Sequence, residues 1–114
     1  MNLAFYISMH VTDVTQQIDT ANLKAVSASD LAIINAARQT AEAAESTFNS
    51  QIKAASGDAA KALQAGKIKN KVLKLFLEVS ALQIEQAQGA SNQAKVAEEQ
   101  KKLTNNIKLD KKEA

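Results

Sequence analysis

Cysteine is absent from the 114-residue chain, and with it go disulfide crosslinks, thiol catalysis and Cys-ligated zinc or iron–sulfur centres. The absence leaves the compartment open, because secreted chains can also lack cysteine. Proline is absent too, and glycine occurs only as Gly57, Gly66 and Gly89, which is too little turn chemistry for a sheet protein. Aromatic residues make up 4% of the chain and the formal net charge is only +2. Stacking platforms and phosphate-neutralising charge are both scarce, so no nucleic-acid partner is expected. No apolar run approaches the roughly 20 residues needed to cross a bilayer. The opening MNLAFYISMHV has an apolar patch without a basic lead-in or a small-residue cleavage site, so it does not read as an intact signal peptide.

What is present is Ala, Gln, Lys, Glu and Leu in abundance, the composition of long helices. The expected fold is all-α, in a single domain over residues 1–114 that is long enough to fold without staples. Three breaks divide it: VSAS (Val26–Ser29), SGD (Ser56–Asp58) and QGAS (Gln88–Ser91). Each sets a hydroxyl, carboxylate or glycine at the start of a new periodic segment, as helix caps do. The predicted helices therefore run over about 2–21, 29–55, 58–88 and 91–108, and short turns between them predict an antiparallel up-and-down four-helix bundle.

In the segment 2–21, Leu3, Ile7, Val11, Val14 and Ile18 form one stripe. The segment 29–55 opens with Ser27 and Asp30 in an S-x-x-D box and carries Leu31, Ile34, Ala41, Ala44, Phe48 and Ile52 along its apolar face. The segment 91–108 has a thin stripe of Val96, Leu103 and Ile107 and ends in the basic run KLDKKEA, which reads as a peripheral helix that frays. The segment 58–88 is different, because it is apolar on two sides. Leu63, Gly66, Asn70, Leu73, Leu77 and Ile84 make one seam, and Ile68, Val72, Leu75, Val79 and Leu82 make another nearly opposite, widened by Phe76. A helix apolar nearly all round is a buried one that touches two neighbours. Polar residues interrupt the seams at Asn70, Gln86 and Gln88, where a polar group ordinarily fixes register at some cost in stability.

Little in the chain points to catalysis. His10 is the single histidine; with Asp13 it makes at most half of a metal site or one acid–base pair, and a metal needs three or four ligands. The carboxylate pairs Glu42/Glu45 and Glu98/Glu99 lack the Glu-x-x-His partners of di-metal bundles and read as solvated faces. Nucleophile elbows, phosphate loops and dinucleotide fingerprints are missing. No enzyme activity, catalytic residue, metal or cofactor is expected.

Two surface features remain. Lys67, Lys71 and Lys74 share the narrow polar arc of the segment 58–88 with Glu78 and Glu85, while Lys69 sits nearly opposite. The three lysines could meet lipid phosphates if the bundle opened, letting the face Ile68, Val72, Leu75, Phe76 and Val79 enter the acyl boundary. Charge is also uneven: up to Gly66 there are four Lys or Arg against six acids, and beyond it ten against six, so helices from the two halves attract. Alternatives are a small apolar ligand held where alanines leave room opposite Phe76 and Leu77, or a homodimer formed through an exposed seam.

The stretch ASGDAAKALQAGKIKNKVLKLFLEVSALQIEQAQG, with INAARQTAEAAES before it and NQAKVAEEQKKLTNNIKLD after it, resembles a family of small secreted proteins of ascomycete fungi. The resemblance spans roughly Leu23 to Asp110, and GKIKNKVLKL with LQIEQAQG is its most specific part. It implies a small helical protein released from a fungal cell, without an assigned biochemical activity, of the effector, toxin or defence kind. It implies no catalytic residues, and the opening MNLAFYISMHVTDVTQQ lies outside it.

Overall fold

The computed structural model describes residues 22–113, and all of the regular structure there is helical. A short 3-10 turn, Leu23–Ala25, leads into three α-helices: α1 (Ala28–Ala54), α2 (Gly57–Ala87) and α3 (Gln93–Glu113). These correspond to the predicted segments 29–55, 58–88 and 91–108. The expected helix over 2–21, and with it the fourth member of the predicted bundle and the His10–Asp13 pair, lies outside the described residues.

The ends of these helices follow from the residues at them. Ser27 caps α1, its Oγ accepting from the Asp30 backbone N–H at 3.1 Å. Among the described hydrogen bonds only this half of the S-x-x-D box forms; the other neighbour of Ser27 Oγ is the hydroxyl of Ser29, 3.4 Å away. At the far end of α2, Gly89 takes φ +112°, a backbone region that favours glycine. That geometry lets the Gly89 N–H donate to Gln86 O and the Ala90 N–H donate to Glu85 O, the paired bonds of a Schellman stop. α3 runs past the predicted end near residue 108 to Glu113. The run KLDKKE contains neither Gly nor Pro to stop it, and a tertiary tie at Asp110 holds its last turns.

α2 is the shared partner of the other two helices. Toward α1 it presents Leu73, Leu77, Ala81 and Ile84, which form one buried cluster with Ile34, Ala41 and Phe48. Toward α3 it presents Leu75 and Val79, which form a second cluster with Leu103, flanked by Val72 and Phe76. The two-sided apolar pattern therefore has a packing cause, since each seam meets a different helix. Phe48 meets Gly66, and the Ala41 carbonyl meets Asn70, so numbers fall along α1 as they rise along α2, and the pair is antiparallel. Contacts of Leu82 with Asn92 and of Lys69 with Asp110 make α2 and α3 antiparallel by the same reasoning.

The two interfaces differ in strength. Leu77 and Ile84 are both 0% exposed, each worth about 2 kcal/mol of apolar burial. Gly66 permits the α1–α2 approach, because a Cβ there would lie 3.0 Å from Phe48 Cε1. Against α3 the buried apolar side chains number three, and α3 itself supplies only Leu103. Glu99, 4% exposed, is also buried on α3 and accepts from Lys102 Nζ at 3.0 Å, a pairing within α3 that offsets part of the cost of taking the carboxylate out of water but adds no tie to α2. α3 is thus the less firmly held of the two outer helices.

Candidate functional site

The second seam of α2 and the lysines beside it form the candidate site. Leu75 and Val79 are 2% and 4% exposed under α3, and Val72 and Phe76 pack against them. Ile68 is half-buried and falls on the same side of α2 by its spacing, one turn before Val72. Reaching Leu75 and Val79 from solvent or lipid requires α3 to move.

The lysine arc is less free than its spacing implied. Lys74 Nζ lies 3.5 Å from Glu45 Oε2, with only 17% of the lysine side chain exposed, so it joins α2 to α1. Lys67 and Lys71 are half-buried on the same side and have no carboxylate partner among the described residues. Lys69, on a different side of the helix, donates to Asp110 Oδ1 at 2.7 Å and ties α2 to the end of α3. Among the described residues the acidic first half and basic second half thus meet in one inter-helix ion pair, Glu45–Lys74, whereas Lys69–Asp110 lies within the second half.

The polar residues in the seams make specific contacts. Asn70, 3% exposed, donates from Nδ2 to the Ala41 carbonyl at 2.7 Å and sets the register of α1 against α2. Gln88 donates from Nε2 to Val26 O at 2.8 Å and pins the chain just ahead of α1 to the end of α2. Gln86 is half-buried, with no side-chain bond among those described. Phe76 and Leu77 belong to different clusters, one facing α3 and one facing α1, so they do not share a space opposite the alanines. Ala41 packs in the cluster that encloses Leu77.

The carboxylate pairs are dispersed among basic partners. Glu42 accepts from Arg38 at 3.0 Å, and Glu45 pairs with Lys74. Lys102 reaches both Glu99 at 3.0 Å and Glu98 at 3.6 Å. The pKa of its ammonium is raised above the ordinary lysine value, chiefly by the hydrogen bond to Glu99 and then by the Glu99 charge; desolvation opposes the rise, and Glu98 adds the least. Among the described residues no three His, Cys, Asp or Glu side chains gather as a metal site. No described helix is long and apolar enough to cross a membrane.

Two features escaped sequence reasoning. Burial of Glu99 but not Glu98 depends on how α3 is rotated against α2, which a polar stretch leaves open. The outer face of α3, with exposed Lys101, Lys108 and Lys112, extends beyond the basic run KLDKKEA; the seven- and four-residue spacing is the signal that groups the three.

A family model described as a domain of unknown function (DUF8454) matches residues 8–114. The chain belongs to that family. The match takes in every described helix of this DUF8454 protein and most of the segment ahead of them. No curated protein and no solved structure matches the chain.

Proposed function

We propose that this DUF8454 protein is a non-enzymatic binding protein that acts at a target cell surface or membrane, in the manner of an effector, cytotoxin or haemagglutinin, as a monomer or homodimer. Release from a fungal cell, which the sequence resemblance implies, belongs to the same reading. So does a four-helix bundle in which the stripe Leu3, Ile7, Val11, Val14 and Ile18 adds a helix to the described three.

One observation carries the reading. Among the described residues, Leu75 and Val79, with Val72 and Phe76 beside them and Ile68 on the same side of α2, are covered by a helix that contributes a single buried apolar side chain, Leu103. A cover that contributes so little apolar surface of its own fits a concealed membrane-entering face. Basic side chains stand on both sides of it, Lys67 and Lys71 on one and Lys69 on another, so headgroup phosphates would be matched as the apolar face enters the acyl boundary.

The test is co-sedimentation and dye release with vesicles of phosphatidylglycerol and phosphatidylcholine, against vesicles of phosphatidylcholine alone. Binding and leakage that require the anionic lipid are expected at micromolar protein. Intact vesicles and no sedimentation with either lipid would overturn the membrane reading.

A further inference from the structure

The outer face of α3 carries charge that the α2 seam does not use. Lys101, Lys108 and Lys112 are spaced by seven and four residues. At about 100° per residue that places them within an arc of roughly 40°, about 10 Å and 6 Å apart along the helix. All three are exposed and, unlike Lys69, Lys74 and Lys102, none is ion-paired among the described residues. No acid falls in the arc: Glu99 is buried, Asp110 is held by Lys69, and Glu98 on the flank is held by Lys102. Leu109 flanks the row and is 48% exposed.

We propose that this row is a docking surface for anionic lipid headgroups, and that α3, once engaged there, lifts from α2 and uncovers the seam. The proposal rests on the membrane reading above and adds which helix meets the lipid and which one moves. Three lysines in line, with an exposed leucine beside them, fit an interfacial helix, whose charges meet phosphates while the apolar side chain enters the boundary. A nucleic acid would supply phosphates as well, but α3 has no aromatic ring on which a base could stack, and Leu109 would face a sugar–phosphate backbone without benefit. The underside of α3 is thinly apolar in its docked position. Leu103 is its one buried apolar residue among those described, and the buried Glu99 takes its charge partner, Lys102, from α3 itself rather than from α2.

The experiment compares full-length chains on phosphatidylglycerol-containing vesicles. A juxtamembrane lysine strengthens binding about five-fold, so the K101Q/K108Q/K112Q variant should partition roughly 100-fold more weakly, while K67Q/K71Q should lose less than about five-fold. Lifting is tested separately. In a K69C/D110C variant, the two positions that meet in the native ion pair can be joined by a short bis-maleimide. The joined protein should bind anionic vesicles yet release no dye, and the same variant left unjoined should release it.

If wild type binds but K101Q/K108Q/K112Q binds equally well, the docking surface lies elsewhere and this inference falls while the membrane reading stands. Leakage by the joined protein as fast as by the unjoined one would overturn the lifting of α3. Wild type that binds a short DNA duplex through these lysines, and no vesicle, would overturn the choice of lipid. Wild type that binds neither vesicle overturns the membrane reading and this inference with it. Unchanged circular dichroism in every glutamine variant is expected, because all five lysines lie outside the buried clusters.

Discussion

Substitutions at Asn70 separate register from stability. The side chain is 3% exposed, and its Nδ2 donates to the Ala41 carbonyl at 2.7 Å. That carbonyl lies within α1 and has an intrahelical partner as well, so losing the amide orphans nothing. Asn70→Leu removes a hydrogen bond with a net value of about 1 kcal/mol and buries an aliphatic side chain worth about 2 kcal/mol. The expected result is neutral to about 1 kcal/mol more stable. Asn70→Asp keeps the shape but aims an anion at the carbonyl oxygen in a dry seam, at a cost of about 3–5 kcal/mol. Burial raises the folded-state pKa of the introduced carboxyl above its unfolded value near 4. The penalty should therefore be smallest well below pH 4, where the group is protonated in both states, grow as pH rises from the unfolded value toward the folded-state value, and level off above it. Urea denaturation at several pH values measures both variants, and an unchanged m-value would show that the fold is kept. An Asn70→Asp cost below about 1 kcal/mol at pH 7 would refute a dry, register-setting amide, as would an Asn70→Leu protein more than about 2 kcal/mol less stable than wild type.

Other substitutions test the packing. Leu77→Ala, at a position 0% exposed, should cost about 3–5 kcal/mol in global unfolding, measured by urea melts; a loss under about 1 kcal/mol would contradict its central place. Gly66→Ala gains up to about 1 kcal/mol of helix propensity but pushes a methyl to within 3.0 Å of Phe48 Cε1. A net loss of about 1 kcal/mol is expected, relieved when Phe48→Leu is added, and a double-mutant cycle without coupling would sink the explanation. Ser27→Ala removes the cap on α1 and should cost about 1 kcal/mol; an unchanged melting temperature would show that the bond contributes nothing.

Much of the described fold was legible because α2 writes both of its contacts into one period. Leu73, Leu77 and Ile84 on one side and Val72, Leu75 and Val79 on the other can be separated at 100° per residue, and the structure gives each set its own neighbour. The SGD and QGAS breaks and the Ser27 cap were readable from turn and cap chemistry. The true end of α3 was not, since nothing in KLDKKE says whether a solvated helix frays, and the Lys69–Asp110 pair that holds it is 41 residues apart in the chain. The site was legible only in part. Lys67, Lys71 and Lys74 lie on one side of α2, but that Lys74 is engaged by Glu45 depends on which helix packs where. Burial of Glu99, likewise, follows from a rotation that local sequence does not set.

A cover that lifts from α2 must open at a lower free energy than the α1–α2 pair does. Native-state amide hydrogen exchange on the full chain measures this directly, because it ranks local opening free energies against global unfolding. Amides of α3 from about Val96 to Ile107 should exchange through a sub-global opening that costs clearly less than the unfolding of α1 and α2. Exchange of α3 only with global unfolding, at the same free energy as the Leu73–Ile84 stretch of α2, would contradict a separately opening α3.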